Sequence, residues 1–381
     1  MSSENWQFYI EYWNPWPDID YFEYVGKVLS FSGDVARKSY LDQYSGTTYQ
    51  ITIENNNDEA AQLVRGRYFA IFFEDLQYLI SGRISGITFQ DAAGLDQGIS
   101  TATISCSDPI SQMGKFTVNN FVFPQGTTGD QAIMPSGTYN SSIIPSVAAT
   151  DTSSIASSST YSGTLLNKLN LLMNTEKGQM WPGGGTSLYF LGRAIVAQPS
   201  GISFVRNTTG VTGEIPYVQF NRIQLGDQFM NQVLVEPESV ATQFGSSSAS
   251  INAYGPSGYS ISTLDYTTTQ AAGLASWLAI MQGDPTDYRY EITVTDITAD
   301  KADIEQLITN LTYGYSLVTV EWLKPGDISE TVVEAVVEGY SFNAIPGETQ
   351  YTFYLSAATF YQYFILDSTT FGILDTSRLG W

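Results

Sequence analysis

Two periods alternate along this chain, and their order sets the expected fold. Thr48, Gln50 and Thr52 alternate with Tyr49, Ile51 and Ile53, the two-residue period of a strand with one buried face. The same grain runs through EYVGKVLSFSG, RYFAIFF, YLISGRISGITFQ and ISTATISCSD, with ENNNDE and DAAGLDQG as polar turns. Strands this dense across residues 24–116, without a helix of useful length, predict a small barrel or sandwich.

The period then changes. In TLLNKLNLLMNTEKG, residues Leu165, Leu166, Leu169, Leu172 and Met173 fall at i, i+1, i+4, i+7 and i+8, one face of a helix. Ser162 or Thr164 is placed to cap its start, and Gly178 stands where a left-handed residue closes a helix. MWPGGGTSLYFLGR follows as two short strands around a Pro-Gly-Gly-Gly turn. The glycine run lacks the Lys-Ser/Thr of a phosphate loop and reads as a hairpin.

From about Ile202 to Leu355 the two-residue grain returns in YVQFNRIQLG, QVLVEP, YRYEITVTD, YSLVTVEWLKPGD, TVVEAVVEGYSFNAI and QYTFYL. Leu274, Trp277, Leu278 and Met281 interrupt it with the spacing of a helix over 269–282. WLKPGD is a turn in which Pro325 fixes φ and Gly326 takes the positive φ.

Two stretches carry neither period. Residues 117–163 hold the Ser/Thr-rich TDTSSIASSSTYSG after VFPQGTTGDQAIMPSG, and predict a linker or long surface loop. Residues 1–22 are aromatic, and WNPWPD places Trp13 and Trp16 between prolines that exclude a central strand or helix interior. That segment reads as an extended arm laid on another surface. The end, TTFGILDTSRLGW, is equally apolar at Phe371, Ile373, Leu374, Leu379 and Trp381, where most chains finish polar. It reads as a docking segment.

The expected class is therefore mainly β with minor α (α+β), two β-barrel domains flanking a small helix-plus-hairpin module. The expected boundaries are an arm at 1–22, a first β-barrel at 23–116, a linker or loop at 117–163 and a helix-plus-hairpin module at 164–200. A second barrel at 201–355 and a docking segment at 356–381 complete the chain.

Charge and composition narrow the chemistry. Only 16 of 381 residues are Lys or Arg against 38 Asp or Glu, a net charge of −22, whereas nucleic-acid binders gain affinity from clustered cations. Arg37–Lys38 and Arg65-Gly66-Arg67 read as solvated strand ends. A negative wall would instead let DNA slide past without sticking. Histidine is absent, which removes Ser-His-Asp and Cys-His nucleophile systems and every His-ligated metal site. The single Cys106 excludes an internal disulfide and reads as a buried strand residue. Asp18, Asp20 and Glu23 lack the Gly-kinked loop and closing Glu of a calcium site. The start carries no basic and apolar regions of a signal peptide, and no apolar run reaches the roughly 20 residues of a membrane span. A soluble protein made in a cytoplasm is expected. Glycoside hydrolysis would need only two carboxylates, with Glu54, Glu74, Asp75, Glu176, Asp227, Glu236 and Glu321 as candidates, but no context marks any of them. A carbohydrate-binding or glycoside-hydrolysing β-rich protein is the alternative reading.

Several stretches, in order, resemble one family. VGKVLSFSGD…TTYQITIENNND and RYFAIFF…YLISGRISGITF are similar to the opening strands of the baseplate or tail-tip hub proteins of tailed bacteriophages. LLNKLNLLMNTEKGQMWPGGGTSLYFLGR resembles their helix-plus-hairpin, and FNRIQLGDQFMNQVLVEP and LVTVEWLKPGD resemble their second β section. VVEGYSFNAIPGETQYTFYLSAA and FGILDTSRLGW are similar to their closing region and C-terminal tag. The likeness is to siphophage minor tail proteins of the T-even-type baseplate hub superfamily and spans roughly residues 25–381. The arm at 1–22 has no counterpart in it, and a lysozyme, peptidase or fibre extension such as some hubs carry is not expected.

The resemblance implies a structural virion protein at the tail tip, made in the host cytoplasm, without catalysis, cofactor, metal or membrane anchor. It implies a homotrimer whose two tube-forming barrels per subunit give six similar units. It also implies the distal tail protein, the tape-measure protein and tip fibre or spike proteins as partners, with DNA passing through the lumen unbound. A distal tail ring or receptor-binding fibre is the alternative within the virion.

Overall fold

The structure is a computed structural model that describes residues 9–12, 22–24, 28–56, 60, 63, 65–66, 68–72, 78–91, 99–139, 144–183, 187–196, 198–224, 228–284, 288–296, 301–345 and 348–361. It opens with strands β1 (Tyr9–Tyr12), β2 (Phe22–Tyr24), β3 (Val28–Ala36), β4 (Thr48–Glu54), β5 (Tyr68–Phe72), β6 (Tyr78–Gln90) and β7 (Thr101–Ser107). All pair antiparallel, in the spatial order β3-β4-β7-β6-β5-β1-β2. The alternation read in β4 holds: Tyr49, Ile51 and Ile53 are buried while Thr48 and Gln50 face solvent.

Residues 117–163 are where the sequence reading fails. Helix α1 (Pro109–Lys115) leads into β8 (Thr117–Phe123), β9 (Gly126–Thr127), α2 (Thr128–Thr138), β10 (Ser146–Thr150), β11 (Ile155–Ala156) and β12 (Ser159–Thr164). The strands pair locally, β8 with β12 and β9 with β11, while β10 runs parallel to a later strand. Asp108 caps α1 by accepting from the Ser111 N–H, and Thr127 with Asp130 forms a capping box on α2. Isolated apolar residues, Ile144, Val147 and Ala156, enter a core, but β9 and β11 have only two residues each and the burial along the seven-residue β8 does not alternate, so no period shows.

That core is completed by helix α3 (Leu165–Glu176), whose predicted face of Leu165, Leu166, Leu169, Leu172 and Met173 is buried. Of the two expected caps, Thr164 accepts from Asn167 N–H. The left-handed closing residue is Lys177, with φ 59°, and not Gly178. Gly178 is required for a different reason: a Cβ there would lie 1.8 Å from the Leu191 carbonyl oxygen. Strands β13 (Gln179–Pro182) and β14 (Ser187–Leu191) form the predicted hairpin, and a short helix α4 (Arg193–Val196) leads out.

The last section holds β15 (Pro199–Val205), β16 (Glu214–Pro216), β17 (Gln219–Gln224), β18 (Gln232–Pro237), β19 (Gln243–Ser246), α5 (Ser248–Tyr254), β20 (Gly258–Thr263) and α6 (Thr268–Met281). It continues through β21 (Tyr288–Thr295), α7 (Lys301–Thr312), β22 (Leu317–Trp322), β23 (Thr331–Ile345) and β24 (Glu348–Ala357). The helix expected at 269–282 is α6, and Gly326 takes the expected positive φ of 91°. Helix α7 was missed, although Ile304, Leu307, Ile308 and Leu311 carry the helical spacing and are all buried.

The mainly β, α+β class is what the structure shows, but no sheet closes into a barrel among the described residues. The two β sections are instead continuous in one 14-stranded sheet. Strand β23 makes the join. At 15 residues it runs about 50 Å, long enough to pair β22 through Thr331–Val336 and β3 through Gly339–Ala344, with β24 along its other edge. A bulge at Glu338 divides the two halves. Ala335, Val336 and Val337 are all buried before it, and Tyr340, Phe342 and Ala344 enter the core at every second position after it.

Candidate functional site

The docking residues expected from sequence, Phe371, Ile373, Leu374, Leu379, Trp381, Trp13 and Trp16, lie outside the described residues. What the structure does show is the point from which the terminal segment departs. Tyr361, the last described residue, is buried at the centre of a polar junction.

The junction forms at the β23 bulge. Arg37, just past the end of β3, donates from Nε to Glu338 Oε2 at 2.9 Å. Its Nη2 donates to the Tyr361 hydroxyl at 2.8 Å and to the Gly178 carbonyl at 3.2 Å. The Tyr361 hydroxyl in turn donates toward the Glu338 carboxylate, at 2.8 and 3.0 Å from its two oxygens. Gln179 Nε2 donates to the Val337 carbonyl at 2.8 Å, and its Oε1 accepts from Trp181 Nε1 and Ser316 Oγ, both at 3.0 Å. One network thus ties β3, β23, the hairpin after α3, the start of β22 and the root of the terminal segment.

Aromatic rings seal it. The Arg37 guanidinium stands 5.4 Å from the Tyr40 ring centre and 5.1 Å from that of Tyr44, within cation–π range. Tyr44 is clamped by Asn170 of α3, which accepts from its N–H at 3.0 Å and donates to its carbonyl at 2.9 Å. Gly339 lets the strands close: a Cβ there would lie 2.3 Å from the Arg37 carbonyl oxygen.

The electrostatics follow from burial. Desolvation would lower the Arg37 guanidinium, but Glu338, Tyr44 and Tyr361 hold it well above its ordinary value. Burial pushes the Tyr361 hydroxyl well up and Tyr44 up to about 12. Lys177, buried against the same cluster, is lowered to about 7 by desolvation and by Arg37. Asp265 is raised to about 6 by burial, although Thr263 Oγ1 donates to it at 2.7 Å. Arg37 Nε and Nη2, the Glu338 carboxylate and the Tyr361 hydroxyl bond to one another and to Gly178 and Gln179, so the arrangement fastens elements together.

Sequence reading had taken Arg37 as a solvated strand end; it is 7% exposed. The signal lay in VVEGYSF, where Glu338 is the one charge inside an apolar run. Of the candidate carboxylates, Glu176 is buried and accepts from Thr128 Oγ1 at 2.6 Å and Ser154 N–H at 3.0 Å, a structural role. Glu54, Glu236 and Glu321 lie on separate strands, β4, β18 and β22; Glu74, Asp75 and Asp227 lie outside the described residues. Among the described residues no group of three or more His, Cys, Asp or Glu stands together as a metal set, and no helix is long and apolar enough to cross a membrane. Cys106 is fully buried in β7, and burial pushes its thiol well up.

No family model and no curated protein matches this sequence. Solved structures do match. A tail protein from Neisseria meningitidis superposes with a TM-score of 0.62 at 10% identity, covering 93% of this chain and 98% of that one. The fold is that of phage tail proteins. The 43 kDa tail protein of prophage MuSo2 from Shewanella oneidensis matches with a TM-score of 0.59 at 11% identity, over 93% of this chain and 99% of that one. A type VI secretion component from E. coli, described as structurally similar to the T4 bacteriophage tail proteins gp27 and gp5, matches with a TM-score of 0.51 at 10% identity. That match covers 87% of this chain and 73% of the other. The phage-tail-protein fold anticipated from sequence patches is therefore present, at identities where the patches alone carry little weight.

Proposed function

We propose that this chain is a structural component of a phage tail, forming the hub ring at the tail tip that continues the tube and gives DNA a passage. The observation that carries the reading is the fold shared with tail proteins across 93% of the chain. Three copies, each bringing two β sections, would present six similar units to a sixfold tube. The buried junction supports this by holding both sections and the intervening module as one body, as a load-bearing ring subunit requires.

In this reading the role is not catalytic and the location is the virion. The partners are two further copies, the distal tail protein, the tape-measure protein and tip fibre or spike proteins. The net charge of −22 lets DNA pass an acidic wall without binding. The arm with Trp13 and Trp16, and the apolar end from Phe371 to Trp381, are the segments offered to neighbours. Electron microscopy of the purified chain and of virions containing it tests the assignment. A threefold ring with a central hole is the expected result; absence of the chain from any tail would overturn it.

A further inference from the structure

Outside the junction, the scarce cations of this acidic chain gather at a second place. Arg65, Arg83 and Lys115, three of its 16 Lys and Arg residues, line one open cleft of about 260 Å³, and no Asp or Glu lines it among the described residues. Three separate elements bring them together. Arg83 of β6 lies opposite Ser107 of β7 in the ladder. Lys115 closes α1 and donates from Nζ to Ser107 Oγ at 3.0 Å. The turn at Arg65 is tied to β6 by the Gly66 N–H, which donates to the Ile84 carbonyl at 2.7 Å. Phe116, half-buried, adds an apolar wall.

A complementary segment exists in the same chain. Between β22 and β23, residues 323–330 are all exposed, and Ile328 is fully so at 103%. Asp327 and Glu330 bracket it, giving acid, apolar, polar and acid in sequence. The tip is pre-shaped by the turn in which Asp327 N–H donates to the Lys324 carbonyl at 3.0 Å, which lowers the ordering cost of docking. In the sheet the tip lies at the β22–β23 end, whereas the cleft lies at β7 and β6, with β3 and β4 between.

We propose that the Arg65–Arg83–Lys115 cleft receives the Asp327–Glu330 tip of a second copy of this chain. The two carboxylates meet Arg65 and Lys115, the exposed cations of the cleft, while Ile328 covers Phe116. Cleft and tip are different surfaces, so the contact is head-to-tail and closes a ring when the rotation permits. The identity of the second copy rests on the ring reading above. A nucleic-acid strand would also bring anions to the cleft, but it would have to approach a surface with 38 carboxylates against 16 cations and would leave Phe116 uncovered.

The test mixes full-length Ser85→Cys chain, whose substitution lies in the cleft lining, with full-length Ser329→Cys chain under mild oxidation. A disulfide-linked species containing one of each is expected, absent when either is omitted. Lys115→Glu should reduce its yield at least tenfold, and adding Glu330→Lys on the other partner should restore it. Both of those residues are exposed, so this swap, followed by sedimentation, reads the contact even if Ser85→Cys misfolds. No mixed disulfide and no effect of the charge swap would overturn the contact, whether or not rings are seen in micrographs. A mixed disulfide in open chains would keep the contact and defeat the ring. Duplex DNA retained at physiological salt and released by Lys115→Glu would also overturn it, assigning the cleft to phosphate.

Discussion

Arg37 and Glu338 stand 301 residues apart in the chain and 2.9 Å apart in the fold, as an ion pair with side chains 5% and 0% exposed. Taking two charges out of water is costly, and further bonds to Tyr361, Gly178 and Gln179 offset that cost. The pair marks the bulge where β23 passes from one β section to the other, so its loss should be felt in both.

Removing one partner leaves the other charge buried and alone. Arg37→Met or Glu338→Leu should each cost about 3–5 kcal/mol in urea unfolding. The double substitution should cost clearly less than the sum of the two, because no orphan charge remains. Additive costs would show that the two side chains are not energetically coupled.

Leu169 is 3% exposed in the core face of α3. Leu169→Ala should lower stability by about 2–5 kcal/mol with an unchanged denaturant slope. A melting temperature equal to the parent's would contradict the assignment of that face.

Asp108 is buried, and desolvation raises its carboxyl to about 7 from an ordinary 3.8, while the Ser111 N–H bond opposes the shift. An acid with a raised folded pKa binds its proton more tightly folded than unfolded. Its contribution is therefore favourable at low pH and is lost as pH rises from about 4 to 7. Asp108→Asn keeps an acceptor for the cap and removes the titration. The variant should lack this fall in stability, so that its margin over the parent grows from pH 4 to 8; unfolding curves across that range decide it.

Lys177 titrates with the opposite sense. Its amine is lowered by burial to about 7 from 10.5, so the unfolded chain binds more protons between those values and stability rises with pH across them. Lys177→Met should remove that rise while leaving the behaviour below pH 6 nearly unchanged. A parent whose stability is flat from pH 7 to 10, and indistinguishable from the variant's, would exclude a buried ammonium there.

Deleting residues 369–381 should prevent incorporation into particles while the truncated chain still folds, as judged by its circular dichroism and urea midpoint. Normal incorporation would remove the docking role proposed for Phe371, Ile373, Leu374, Leu379 and Trp381.

The sequence by itself determined the elements with strong local period. Strand β4 shows its buried face in every second residue, α3 shows its core in five apolar positions, and α6 falls within a residue of its expected limits. Those signals survive because each element buries one continuous face. Tertiary structure decided the rest. Residues 117–163 look like a linker because their strands are either two residues long or buried without alternation, and they owe their existence to one another and to the α3 core. Two barrels were expected because each β section carries its own strands, yet β23 is long enough to belong to both. Nothing local says that a 15-residue strand will change partners halfway. Arg37 was read as solvated because a strand-end arginine ordinarily is; only the arrival of Glu338 and Tyr361 from the far end of the chain makes its burial affordable, and that pairing is a property of the fold.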